Sequence, residues 1–355
     1  MQKLKDDPPV HDSEREELDF LGSIYCPCRE RFADAYRRFE RRYKAGRKEG
    51  GNLRGVVPSE HRADGKYFNI VSIKAREKFP AVATASGYLD FFRTGFIENA
   101  ERGYMRGWFS SLPLPEKPHP LFDGLELRDP KNIFSIYGAM PYVLVVNHRR
   151  LNGRKVPRSV ADLIAPEFSA SVGVPYGDDD ISEHLLLPLW KTFGAEGIEA
   201  LARNVVKTGH APELIASLIA AEGREAGGAC VCLMTWFFAN TVPKHGYIEV
   251  VWPEDGALFC PLYAVAKADL TETQKAAAAF LFSAELGQSM ADGYFAHLNP
   301  AVRYSMEGER GHESQNLQVR ALPRPHFQWV GWDYIYEKPL EERVAEIEAV
   351  FYRAR

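Results

Sequence analysis

LDFLGSIYCPCRERFADAYRRFERRY, Leu18 to Tyr43, is the stretch whose reading decides the fold. Leu18 to Ile24 is a short apolar run with a small-residue step, Gly22-Ser23, and reads as a first strand. Phe32, Tyr36, Phe39 and Tyr43 then recur at helical spacing with Arg and Glu between them, the pattern of an amphipathic helix. The loop Tyr25-Cys26-Pro27-Cys28 joins the two. Pro27 suits a first helical turn, where its missing N–H costs nothing. In an open α/β sheet, ligands sit at the loops leaving the carboxyl ends of strands. A thiol there faces the positive end of the helix dipole, which favours thiolate. Cys26 and Cys28 are therefore candidate ligand-touching residues, and soft thiolates suit a thiophilic metal or a metal complex.

Working outward, 355 residues are enough for about two domains. A net charge of -4 argues against a nucleic-acid binder that works by bulk charge. The Arg-rich segment from Arg29 to Lys44 carries interspersed acids and reads as the solvated face of an amphipathic helix, not an RNA-binding element. No apolar run approaches the ~20 residues that cross a bilayer. Residues 1–17 form a polar arm with no apolar segment of the signal-peptide kind, which leaves a removed signal and a cytoplasmic location both open. The five cysteines, Cys26, Cys28, Cys230, Cys232 and Cys260, are odd in number and are not a disulfide framework. Their two Cys-x-Cys pairs lack the Cys-x-x-Cys spacing of common zinc sites.

Further along, Phe79 to Gly87 reads as a second strand and Tyr88 to Asn99 as helix. Ser86 is either a plain helix N-cap or a hydroxyl and N–H facing a ligand. Tyr137 to Asn147, YGAMPYVLVVN, is a strongly β-prone run. A short helix begins at Pro157-Arg158-Ser159, a strand spans Ser171 to Pro175, and Gly177-Asp178-Asp179-Asp180 caps another helix, with Glu183 completing a helix-start signature. Gly194 to Thr208 and Pro212 to Glu222 read as helical. Gly228 to Phe238 reads as a buried strand running into a loop, Tyr247 to Trp252 as a strand, and Ala257 to Lys267 as another. The chain is helical from Thr271 and ends in an amphipathic helix, Pro339 to Arg353. Cys230 and Cys232 share one strand face and read as small buried hydrophobes.

The passage from Val156 to Gly177 resembles the solute-binding proteins of ABC importers in the ferric-ion-type branch of the type II periplasmic-binding-protein family. Its turn-helix is carried by Pro157, Ser159, Asp162, Leu163, Pro166 and Phe168. The strand ending in Asn147, the turn Trp252-Pro253-Glu254-Asp255-Gly256 and the helix end at Leu298-Asn299-Pro300 match in order. The resemblance implies an α/β fold of two lobes with a ligand cleft between them. Residues 18–138 and 256–355 would form lobe one and 139–255 lobe two. It further implies an extracytoplasmic monomer that captures a small anionic or metal-containing solute, such as iron, and hands it to a membrane permease, with no nucleic acid involved.

Carried onto this chain, the family's cleft would be lined by Tyr25, Cys26, Cys28, Ser86 and Gly87 from lobe one. Lobe two would bring Tyr176, Gly177, Asp178, Asp179, Asp180 and Trp236. Cys26 and Cys28 would be the metal ligands, should the solute be or carry a metal. The chain lacks the adjacent Tyr-Tyr pair of ferric-binding members, which weighs against direct ferric capture. The alternative is an enzyme on the same fold that uses the cleft cysteines in cofactor-precursor synthesis. Such a nucleophile needs a His or carboxylate within reach. No recognisable Cys/His arrangement, phosphate loop, His-Glu-x-x-His or Gly-x-Ser-x-Gly is present in the sequence.

Overall fold

The computed structural model describes residues 16–46, 52–58, 70–175, 182–220, 228–243, 245–306, 315–316 and 322–355. The first part of the chain forms β1 (Phe20–Leu21), α1 (Cys26–Ala45), β2 (Gly55–Val56), β3 (Val82–Ser86), α2 (Thr94–Glu101) and β4 (Phe134–Asn147). The middle forms β5 (Val172–Pro175), α3 (Glu183–Asn204), β6 (Val205–Gly209), α4 (Ala211–Ile219), β7 (Val231–Thr235), α5 (Trp236–Ala239), β8 (Ile248–Val251) and β9 (Ala257–Ala266). The last part forms α6 (Glu272–Phe280), α7 (Ala284–Ala291), β10 (Ala296–His297), β11 (Ser305–Met306), β12 (Gln315–Asn316), β13 (Phe327–Gln328), α8 (Trp332–Glu337) and α9 (Leu340–Ala354).

The chain divides into two compact units, Met1–Ala139 with Pro261–Leu317 and Met140–Cys260 with Gln318–Arg355. In the first unit β1 pairs in parallel with both β2 and β3, β3 pairs antiparallel with β9, and β10 pairs antiparallel with β4. Aromatic side chains cover its sheet. Phe20 stacks on Tyr36 at 4.8 Å, and Phe280 meets Phe32 edge-on, which seats α1 and α6 together over β1. Tyr263 stacks on Phe92 at 4.1 Å, within a second cluster that includes Phe91 and Phe134. Such pairs prefer offset or edge-on geometry and add to the burial of area itself.

In the second unit β4 pairs antiparallel with β7 and β8, and β5 is parallel to both β6 and β7. The two passages that carry the family resemblance meet here. The Asp255 carboxylate, in the turn after β8, accepts the N–H groups of Val160 and Ala161 at 2.8 and 3.0 Å. These open the short 3-10 helix Val160–Ile164, whose cap Ser159 and Asp162 form a reciprocal capping box. Burial raises the Asp255 pKa, and the backbone N–H groups oppose that rise.

The C-terminal stretch, Gln318–Arg355, belongs to the second unit, whereas the family resemblance implied that it joins the N-terminal part. The reason is aromatic packing. Phe327 meets Trp252 at 5.7 Å and Phe259 at 5.3 Å, Trp329 meets Phe259 at 4.8 Å, and α9 lies along α3. The expected helix Gly194 to Thr208 is also revised. α3 runs from Glu183 through a kink at Gly194, where φ is 60°, and stops at Asn204. The β-branched Val205 and Val206 then continue as β6, paired with β5. Tyr88 to Arg93 is not helical, and α2 begins only at Thr94. Among the described residues, no helix is long and apolar enough to cross a membrane.

His297 gives the first unit a defined acid sensitivity. Its Nε2–H donates to the Leu281 carbonyl at 2.8 Å and its Nδ1 accepts the Asn299 N–H at 3.1 Å. Burial lowers its pKa to about 4, against the opposing hydrogen bond to Leu281. The unfolded chain therefore binds a proton near pH 6.5 that the folded chain refuses until about pH 4. Stability should fall as pH drops through this window, by up to about 3 kcal/mol from this residue. Urea unfolding of the protein and of His297→Gln checks it: the variant should show the shallower slope between pH 6.5 and 4. Separately, Asp255→Ala should cost about 1–3 kcal/mol in the same assay, because two amides lose their acceptor.

Candidate functional site

In the first unit the carboxyl ends of β1 and β3 lie side by side, because the two strands are parallel neighbours. The Ser23 N–H donates to Thr84 Oγ1 at 2.7 Å, and the Thr84 hydroxyl donates to the Ser23 carbonyl at 2.7 Å. This clasp holds the exposed Ser23 loop against β3. Tyr25, half-buried, is the N-cap of α1 with φ -54° and ψ 144°, and Pro27 stands in the first turn.

The structure separates the two cysteines. They are not a loop pair but the first turn of α1, and residues two apart on a helix point about 200° apart. Cys26 is exposed and Cys28 is buried with Phe32, Ala35 and Tyr36. Burial pushes the Cys28 thiol up to about 12, outweighing the nearby Arg31 charge. Cys28 is thus a protonated core thiol at neutral pH. The expectation that it is a thiolate ligand, alone or as a metal ligand with Cys26, is corrected.

Ser86 and Gly87 stand at the end of β3 as expected, but their backbone donors are engaged within the unit. The Ser86 N–H donates to Asp90 Oδ2 at 3.3 Å, and the Gly87 N–H donates to the Pro261 carbonyl at 2.8 Å. Gly87 has φ 87°, the left-handed region that turns the chain sharply out of β3. Ser86 is not a helix cap either, since α2 starts eight residues later at Thr94.

In the second unit the parallel strands β5 and β7 end on the same side. Tyr176, Gly177, Asp178, Asp179 and Asp180 follow β5 in sequence and lie outside the described residues. β7 ends at Thr235, the N-cap of α5, whose side chain accepts the Phe238 N–H. Trp236 is buried, with its ring edge-on to Trp252 at 5.3 Å. Phe237 and Phe238 are half-exposed neighbours. Cys230 and Cys232 are buried, as read from the sequence, with the Cys232 thiol pushed up by burial and 3.7 Å from the Leu214 carbonyl.

A polar cluster that sequence reading missed lies between β4, β9 and the start of α3. Cys260 Sγ is 3.5 Å from His184 Nε2, and a Glu183 carboxylate oxygen is also 3.5 Å from that nitrogen. Burial holds the His184 imidazole below its ordinary pKa, against the Glu183 charge. Tyr142, from β4, bonds Ser182 and has its ring 5.6 Å from that of His184. The separation of 76 residues between His184 and Cys260 hid the pair from any local motif. Among the described residues, no group of three or more His, Cys, Asp or Glu side chains is arranged to hold a metal ion.

Two discontinuous α/β units linked by β4 and β9 define the type II periplasmic-binding-protein fold. The model of the family "bacterial extracellular solute-binding protein" matches residues 77–338, and the chain belongs to that family. Its function is solute binding. Solved structures agree on the fold. The apo ferric ion-binding protein A of Pasteurella haemolytica aligns with TM-score 0.60 at 12% identity, covering 94% of this chain and 97% of that one. A Trichodesmium protein in complex with iron and citrate aligns at 0.56 and 13%, covering 95% and 98%. A periplasmic binding protein of Actinobacillus pleuropneumoniae with fructose-6-phosphate bound aligns at 0.53 and 14%, covering 93% and 96%. No curated protein matches by sequence.

The thiol geometry makes a direct prediction. A soluble disulfide reagent added to the native protein should modify one cysteine rapidly, and Cys26→Ser should abolish that phase while Cys28→Ser leaves it intact. Rapid loss of two or more thiols in the native state would contradict the burial of Cys28.

Proposed function

We propose that the chain is the extracytoplasmic receptor of an ABC importer, binding its solute with the loops at the strand carboxyl ends and delivering it to a membrane permease. The observation that carries this reading is topological. In each unit, neighbouring parallel strands end together in polar or aromatic residues: Ser23, Tyr25 and Cys26 by Ser86 and Gly87 in one, Trp236 to Phe238 in the other. Open α/β sheets bind ligands at such ends. The family membership supports the same role.

The reading is of a binder, not a catalyst. The Cys260–His184 pair is a thiol–imidazole contact in the second unit, and both side chains are buried. That suits a structural contact better than turnover, which needs a nucleophile reachable by substrate. We read the protein as a monomer. Asp178 to Asp180, after β5, are proposed to complete the solute contacts. β4 and β9, the strands shared by the units, are proposed as the hinges of closure, a common device in two-domain binders.

Native mass spectrometry of protein purified without denaturant, with elemental analysis of the same sample, tests the function. A small solute or metal complex should accompany the folded chain and leave on unfolding. Adding that solute back should shrink the radius of gyration in small-angle scattering, and Cys26→Ser should weaken it by about tenfold, ~1.4 kcal/mol, if Cys26 touches it. Catalytic conversion of the released compound by the pure protein would replace this reading with the enzymatic one.

A further inference from the structure

Cys260 of β9 and His184, in the first turn of α3, meet within the second unit. Cys260 Sγ and His184 Nε2 are 3.5 Å apart, and both side chains are buried. Burial holds the imidazole below its ordinary pKa, so the ring is neutral and able to ligate. The Tyr142 ring stands 5.6 Å from that of His184, and a Glu183 carboxylate oxygen lies 3.5 Å from Nε2 with its side chain partly exposed.

A thiolate and an imidazole that share one metal ion stand at this separation. Bonds of about 2.3 Å to sulfur and about 2.0 Å to nitrogen, meeting near the tetrahedral angle, put the two atoms about 3.5 Å apart. Opening the angle to trigonal adds about 0.2 Å. Donor number and charge then select the metal. Among the described residues, no third His, Cys, Asp or Glu completes a cage with the pair, as a structural zinc site of the closed, four-coordinate kind requires. Copper(I) is soft, favours thiolate, and is satisfied by fewer donors. Its single charge also cancels that of one thiolate, so the fully buried part of the site carries no net charge. The Glu183 carboxylate, beside Nε2 and partly solvated, attracts the cation on entry.

We propose that Cys260 and His184 form a binding site for a monovalent thiophilic metal ion, copper(I). Uptake forms one copper–sulfur and one copper–nitrogen bond, expels the thiol proton to solvent, leaves the ring proton on Nδ1 and changes no oxidation state. The proposal does not rest on the solute-binding reading. Anaerobic titration of the whole chain with copper(I), in competition with a chromophoric copper(I) chelator, tests it. Cys26→Ser is the starting protein, so that the exposed thiol does not compete. It should take up one copper(I) per chain with release of about one proton. Adding Cys260→Ser should lower the affinity about a hundredfold or more and His184→Gln about tenfold or more, while Cys232→Ser leaves it unchanged. X-ray absorption of the copper-loaded protein should show both sulfur and nitrogen bonded to the metal, a readout that does not depend on how any variant folds. Sulfur-only coordination, which would point to Cys230 and Cys232, overturns the proposal. So does full affinity in the Cys260→Ser or His184→Gln protein, or no uptake of copper(I) at all.

Discussion

Everything in this molecule depends on two strands whose residues are buried along their whole length. All 14 residues of β4 and all 10 of β9 are buried. A strand with no solvent face must be covered on both sides, so each unit has to supply helices or aromatic layers to both faces of the portion it owns. The first unit does so in part with Phe92, packed against Phe134 of β4 and Tyr263 of β9. The second does so in part with the C-terminal aromatics, Phe327 and Trp329, against Phe259. The C-terminus is drawn into the second unit by that requirement.

These strands were also the most legible part of the sequence. A continuous apolar run such as YGAMPYVLVVN has no period-two alternation, and that lack of alternation is the signature of burial on both faces. The turn-helix from Pro157 to Phe168 was legible for a different reason, since its Ser, Asp and Pro residues have fixed capping roles. The contact that locks it, Asp255 onto Val160 and Ala161, spans about 95 residues and has no local signal. The same holds for Cys260 and His184.

Site residues were harder to read because their chemistry depends on a boundary of one or two positions. Starting α1 after Cys28 makes the cysteines a loop pair, whereas starting it at Cys26 sends one thiol to solvent and the other to the core. Ser86, the last residue of β3, and Gly87 after it were legible as a strand end, but hydrogen bonds to Asp90 and Pro261 decide what their amides do. Side-chain partners of that kind are set by tertiary packing, which a spacing argument does not reach.

The central claim is that solute is held by the loops leaving the parallel strands of the two units. Hydrogen–deuterium exchange of the native protein, with and without the solute it carries, addresses this directly. The account predicts slowed exchange confined mainly to residues 22–26, 86–90 and 235–241, while the surface of α9 is unchanged. Protection that spares all three loops and appears instead at the opposite ends of the strands, near residues 148–155, would contradict it.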